Sequence, residues 1–69
     1  MTYKATNRST DETITVRGRS IEEAAQHAVE RFARRRNVQA HRETGTPGLS
    51  GIWQGYLHGS SYGPNVHVA

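Results

Sequence analysis

The chain has 69 residues, a length that allows one domain with a thin hydrophobic core. Nine basic and six acidic residues give a formal net charge of +3, and eight of the nine bases are arginine. The absence of cysteine excludes a disulfide framework and a thiolate metal site, and no apolar run is long enough to span a membrane. The N-terminal residues also lack the apolar core of a signal peptide, so we expect a soluble cytoplasmic protein.

Two short strands are predicted before any helix. Residues 3–7 alternate apolar and polar side chains, and residues 12–17 do so more regularly, with Ile14 and Val16 on one side. The polar residues 8–11 between them are typical of a turn. The two strands are therefore close enough in sequence to form a hairpin.

A helix is predicted over residues 20–34. Ser20 followed three residues later by Glu23 has the pattern of a capping box. The main apolar positions follow at spacings of four, three and four, which places them on one side of a helix: Ile21, Ala25, Ala28 and Phe32. Because this side is rich in alanine, we expect a sheet to lie very close to it. Asn37 is the candidate for the left-handed residue that stops the helix.

Residues 38–44 and 52–58 are predicted as two further strands, joined by the glycine-rich connector 45–51. Residues 59–64 are predicted as a loop, and residues 65–68 can add a short fifth strand. The order β-β-α-β-β(-β) and the hairpin-length connections predict an α+β fold in a single domain, 1–69. We expect a mainly antiparallel sheet with the helix packed on one face. Its other face is left to solvent or to a partner.

No pattern in the chain indicates a catalytic centre or a metal site. The histidines are scattered and lack the spacing of metal ligands: His27, His41, His58 and His67. Asp11 is the only aspartate, and no serine lies in a nucleophile motif. The connector 45–51 lacks the lysine and the following helix of a phosphate-binding loop. We therefore expect no enzyme, no metal and no cofactor.

Arginine and aromatic side chains are the candidates for contact with another molecule. The densest positive group follows the helix, at Arg31, Arg34, Arg35 and Arg36. It either complements the helix dipole or binds phosphates or an acidic surface, as the pair Arg17 and Arg19 also could. In the strand 52–58, alternation leaves either Trp53 or Tyr56 exposed. The exposed ring either covers the sheet or anchors an interface.

Two stretches of the chain together resemble a known family. They are residues 42–45 (Arg-Glu-Thr-Gly) and residues 51–56 (Gly-Ile-Trp-Gln-Gly-Tyr). This arrangement, a strand end leading through a short loop into an aromatic strand, is similar to that of small anti-CRISPR proteins directed at type I systems. The strand and helix of residues 14–32 and the final pair, His67 and Val68, fit the same layout. Residues 1–11 carry little of the likeness, and the loop 59–64 is shorter than in the family.

The resemblance implies a non-enzymatic, stoichiometric inhibitor that acts in the cytoplasm of a bacterial host cell. Such an inhibitor binds the Cascade surveillance complex, most often on its backbone subunits, and keeps target DNA from being recruited. Because this chain is basic, we expect it to occlude the complex rather than to mimic DNA. The residues predicted to contact the partner are Arg17, Arg19, Arg31, Arg35, Arg42, Trp53 and Tyr56, of which Arg42 and Tyr56 depend partly on the resemblance.

The alternative is a small basic nucleic-acid-binding or regulatory module that uses the arginines of residues 31–36. Direct contact with nucleic acid is also a secondary expectation for an inhibitor of Cascade. We expect a monomer or a weak dimer and no contact with a membrane; the sequence leaves open whether two copies associate through a free strand edge.

Overall fold

The computed structural model describes residues 1–69 and contains one helix and five strands. In chain order they are β1 (Thr2–Asn7), β2 (Thr13–Arg17), α1 (Ile21–Ala33), β3 (Gln39–Gly45), β4 (Gly51–Leu57) and β5 (Ser60–Val68). The strands form one antiparallel sheet in the order β2-β1-β5-β4-β3. The predicted α+β class and element order are confirmed, and the fifth strand lies at the centre of the sheet.

The helix begins and ends close to the predicted residues 20–34, but the residue that stops it is not the predicted one. The Ser20 hydroxyl accepts a hydrogen bond from the Glu23 N–H at 3.2 Å, as an N-cap does. At the other end Arg34, with φ 58°, takes the left-handed conformation. The prediction that Asn37 has this role is wrong. A longer helix would carry Arg35 and Arg36 back toward the apolar side, and burying two guanidinium groups there is costly.

The helix packs closely against the sheet and contacts all five strands. Ala24, Ala25 and Ala28 have no exposed surface, and their small side chains let the helix backbone approach the strands. The other buried apolar residues complete the core: Ala5, Val16, Ile21, Val29, Val38, Trp53, Val66 and Val68. The core therefore lies in one layer, between α1 and the helix-facing side of the sheet.

The segment predicted as the loop 59–64 belongs instead to strand β5. The β4–β5 turn lies at His58 and Gly59, whose φ angles of 53° and 80° suit a tight two-residue hairpin turn. The pairing register shifts between Gln54 and Tyr56, so part of β5 bulges out of the ladder. Pro64 is tolerated in this central strand because the bulge removes the need for its missing N–H. The prediction of a loop was wrong because glycine, serine and proline, which are typical of turns, lie here inside a bulged strand.

The sheet face that points away from α1, which we call the outer face, is not covered by any segment of the chain. Alternate residues of each strand point to it, and most of them are polar and exposed, such as Lys4, Thr15, Asn65 and His67. The single helix, 13 residues long, is too short and too polar to cross a membrane.

Replacement of Gly55 by alanine tests the closeness of this packing. A Cβ atom at Gly55 would lie 2.6 Å from Val38 Cγ1 and 2.8 Å from Val29 Cγ1. We expect Gly55→Ala to lower the free energy of unfolding by about 1–3 kcal/mol in urea denaturation, because the core must shift to admit the methyl group. In the matched control, Gly59→Asn, no atom lies within 4 Å and asparagine tolerates the positive φ, so the effect should stay within about 0.5 kcal/mol. Equal effects of the two substitutions would contradict this packing.

Candidate functional site

One half of the outer face, on the side of the β3 edge, is formed by strands β3, β4 and β5. Gln54 of β4 lies between His41 of β3 and Asn65 of β5, and Ile52 lies beside His67. Ile52 and Gln54 are half-buried, whereas the two histidines and Asn65 are exposed. The result is a preformed surface with a partly apolar centre, a polar surround and few charges.

Tyr56 is the large aromatic residue of this surface, and two neighbours from β3 fix its orientation. Its hydroxyl donates a hydrogen bond to Glu43 Oε1 at 3.0 Å. The ring of His41 meets the ring of Tyr56 edge-on, with centroids 4.7 Å apart and an interplanar angle of 78°. The hydrogen bond to Glu43, with the negative charge of that carboxylate, raises the pKa of Tyr56 and so keeps the phenol neutral. Tyr56 is thus held as a rigid hydrogen-bonded aromatic on the outer face.

Trp53 lies on the opposite side of the sheet, under the helix. It pairs with Val66 in the β4–β5 ladder, and only 2% of its surface is exposed. The prediction that Trp53 contacts a partner is therefore wrong, because its strand position places the indole in the core. The alternative that the sequence left open is settled: the aromatic residue on the outer face is Tyr56.

Arg42 also points to the helix side, where it is part of the structure's own packing. Its guanidinium lies 4.1 Å from the centroid of the Trp53 ring, and its Nη2 donates to Glu22 Oε2 at 2.7 Å and to the Leu49 carbonyl at 3.0 Å. Its Nη1 is buried without a hydrogen-bond partner. Arg42 thus has a structural role, and its predicted contact with a partner stays a prediction.

Two glycines of the family-like motif make room for this guanidinium. A Cβ atom at Gly45 would lie 2.6 Å from Arg42 Nη1, and one at Gly51 would be closer still. Side chains at either position would push the guanidinium off the Trp53 ring. The pattern of arginine, two glycines and tryptophan in residues 42–53 is therefore explained by packing.

Glu22 fixes the connector between β3 and β4 to the first turn of the helix. Its Oε2 accepts hydrogen bonds from the Gly48 N–H and from Arg42 Nη2, both at 2.7 Å. These two donors, the Gly48 N–H foremost, hold the pKa of Glu22 below its usual range. The sequence indicated only that Glu22 suits the start of a helix, because its partners lie 20 and 26 residues further along the chain.

The remaining predicted arginines do not gather at one place. Arg31, Arg34, Arg35 and Arg36, together with Glu30, line a shallow depression at the C-terminal end of α1, and we call these four the arginine cluster. Within it, Arg35 lies 5.7 Å from the centroid of the Tyr62 ring. Arg17 lies at the β2 edge of the outer face, and Arg19 precedes the helix. A helix of this length puts Arg19 about 20 Å from the cluster.

Comparison of the chain with protein-family models, with curated proteins and with solved structures found no match. The resemblance to anti-CRISPR proteins therefore stays a prediction. No group of three or more histidine, aspartate or glutamate side chains is placed to hold a metal ion. The two candidate surfaces of the structure are the outer face around Tyr56 and the arginine cluster.

Acid sensitivity tests the role of Glu22. Because its pKa is lower in the folded protein than the ordinary value of 4.5, its contribution to stability is present above that value and is lost as the pH falls through the folded pKa. We expect Glu22→Gln to reduce the melting temperature at pH 6 and to lose less stability than the unmodified protein between pH 6 and pH 3. Glu12→Gln, which replaces an exposed carboxylate without an ion pair, is the control and should follow the unmodified protein. Parallel pH profiles for all three proteins would show that Glu22 has no such role.

Proposed function

We propose that this protein is a non-enzymatic inhibitor of a type I CRISPR system and that it binds the Cascade complex through the outer face of its sheet. It would act in the cytoplasm of a bacterial cell and exclude target DNA by occupying the complex. The observation that carries the proposal is Tyr56 of β4, held in place by Glu43 and His41 of the edge strand β3 on an uncovered sheet face. The resemblance of residues 42–56 to small anti-CRISPR proteins supports the identity of the partner.

The properties of the outer face suit a protein partner. Tyrosine is enriched among the residues that dominate binding energy, and a ring that is already oriented loses little conformational freedom on binding. Ile52 adds apolar surface further along β4, beyond Gln54, and the polar surround matches the rim of a typical interface.

The area required for such an interface is available on one face. The protein has 4432 Å² of accessible surface. A standard interface buries about 800 Å² on each partner, which is less than a fifth of that surface. One side of the molecule therefore suffices, and Arg17 and Lys4 lie at the β2 side of the outer face, where they can pair with carboxylates of the partner.

A second candidate function is supported by the arginine cluster. Its four guanidinium groups surround one depression, and two of them, Arg31 and Arg34, also line the neighbouring depression beside β1 and β2. The only carboxylate in the first depression, Glu30, accepts a hydrogen bond from Gln26. This concentration of positive charge favours phosphate groups, so the cluster is the candidate site for direct contact with a nucleic-acid backbone.

Binding to purified type I Cascade complexes tests the leading proposal. We expect the unmodified protein to bind a Cascade complex and to restore phage plating on cells that carry the system. Tyr56→Ala should weaken binding by about 30-fold, the effect typical of an interface hot spot. Leu49→Ala removes a side chain that is 62% exposed away from the outer face, so it is the matched control and should bind normally.

Both variants should keep the melting temperature within a few degrees of the unmodified protein, so that a loss of affinity reports the contact itself. Failure to recover any type I complex, with CRISPR interference intact in cells that express the protein, would refute the proposal.

Titration with duplex DNA and RNA at several salt concentrations tests the second candidate. We expect an affinity that falls steeply with salt, since bound phosphates release counterions. Arg36→Glu should weaken this binding strongly, whereas Arg19→Glu makes the same change of charge at the other end of the helix and should retain most of it. No mobility shift at low salt would exclude this function.

A further inference from the structure

The free edge of β3, which is the side of the strand that does not pair with β4, is covered by one side chain of the helix. Gln26 Nε2 donates a hydrogen bond to the Val38 carbonyl at 2.7 Å, and Gln26 Oε1 accepts one from the Ala40 N–H at 2.8 Å. These are two of the backbone groups that a neighbouring strand would use to extend the sheet. The amide of Gln26 thus occupies the place of an added strand.

The opposite edge of the sheet is covered in the same way from the other flank of the helix. His27 Nδ1 is 2.7 Å from the Arg17 carbonyl oxygen of β2, and Arg31 Nη1 donates to the Thr15 carbonyl at 3.2 Å. One helix therefore supplies hydrogen-bond partners to both edges of a five-stranded sheet.

The two edges differ in the groups that cover them, and this difference decides which of them could pair with a second copy. At β2 a charged guanidinium, that of Arg31, covers the Thr15 carbonyl, so two such edges would bring like charges together. At β3 the covering group is the neutral amide of Gln26, and the exposed side chains of the strand carry one charge, that of Glu43. In an antiparallel pair of β3 edges through residues 38–42, each Glu43 lies across from residue 37 of the other copy, next in sequence to Arg36, so like charges do not meet.

The stretch of β3 that is suited to pairing coincides with the part that Gln26 covers. A register shift between Arg42 and Thr44 disrupts the C-terminal half of the strand, and such bulges hinder edge-to-edge association. Regular strand backbone remains over residues 39–42. Gln26 bonds to Ala40 within this stretch and to Val38 directly before it.

We propose that the free edge of β3 is a strand-pairing surface for a second copy of this chain, and that the side-chain amide of Gln26 keeps this surface closed. The protein then exists as a monomer, and removal of the amide allows two copies to join their sheets antiparallel through residues 38–42. This proposal stands on the hydrogen bonds of Gln26 and is independent of the proposed function.

Sedimentation equilibrium over a wide range of protein concentration tests the proposal. The unmodified protein should keep the monomer mass of 7.7 kDa, and Gln26→Ala should rise toward twice that mass as concentration increases. Gln26→Met, which keeps the length and helix propensity of the side chain without its hydrogen bonds, should behave in the same way. Gln39→Ala is the matched control, because it removes a glutamine from β3 itself and leaves the amide of Gln26 in place; it should remain a monomer.

Three outcomes would overturn the proposal. The first is a folded Gln26→Ala or Gln26→Met that stays monomeric, and the second is dimerisation of the unmodified protein. The third is loss of folding in both Gln26 variants, since the amide would then be a requirement of the fold and not a barrier to association. In a dimeric variant, the Ala40 amide should be protected from hydrogen exchange only at high concentration.

Discussion

Close contact between the alanine-rich side of α1 and the sheet determines the rest of this structure. A chain of 69 residues has few large apolar side chains, so its core depends on a short distance between backbones. Ala24, Ala25 and Ala28 on the helix and Gly55 on β4 make that distance possible, and Trp53 fills much of the remaining volume. The helix, although only 13 residues long, therefore contacts every strand.

The central position of the helix also decides which surfaces stay open. Its two flanks reach opposite edges of the sheet, through Gln26 on one side and through His27 and Arg31 on the other. Its first turn holds the β3–β4 connector through Glu22. The parts of the molecule that remain free to contact another are thus the outer face and the arginine cluster, which explains why the proposed functions divide between them.

The features that were predicted correctly from the sequence depend on residues that are close together in the chain. Alternation predicted most strand positions, and apolar spacing with Ser20 predicted the helix. The features that the sequence did not predict depend on contacts between residues that are distant in the chain. The orientation of Trp53 follows from its pairing with Val66, and the role of Arg42 follows from Glu22, twenty residues away. The strand at residues 60–64 was missed because a bulge accommodates turn-forming residue types within it.

We propose that the outer face, with Tyr56 as its large aromatic residue, is the surface that meets another macromolecule. Amide NMR spectra of the isotopically labelled protein, recorded as purified type I Cascade is added, would map this contact residue by residue. Signals from the outward-pointing residues of β3, β4 and β5 should broaden first, while those of the buried helix face and of the β3–β4 connector change little. Broadening confined to the arginine cluster, or spectra unchanged by a saturating amount of the complex, would contradict the claim.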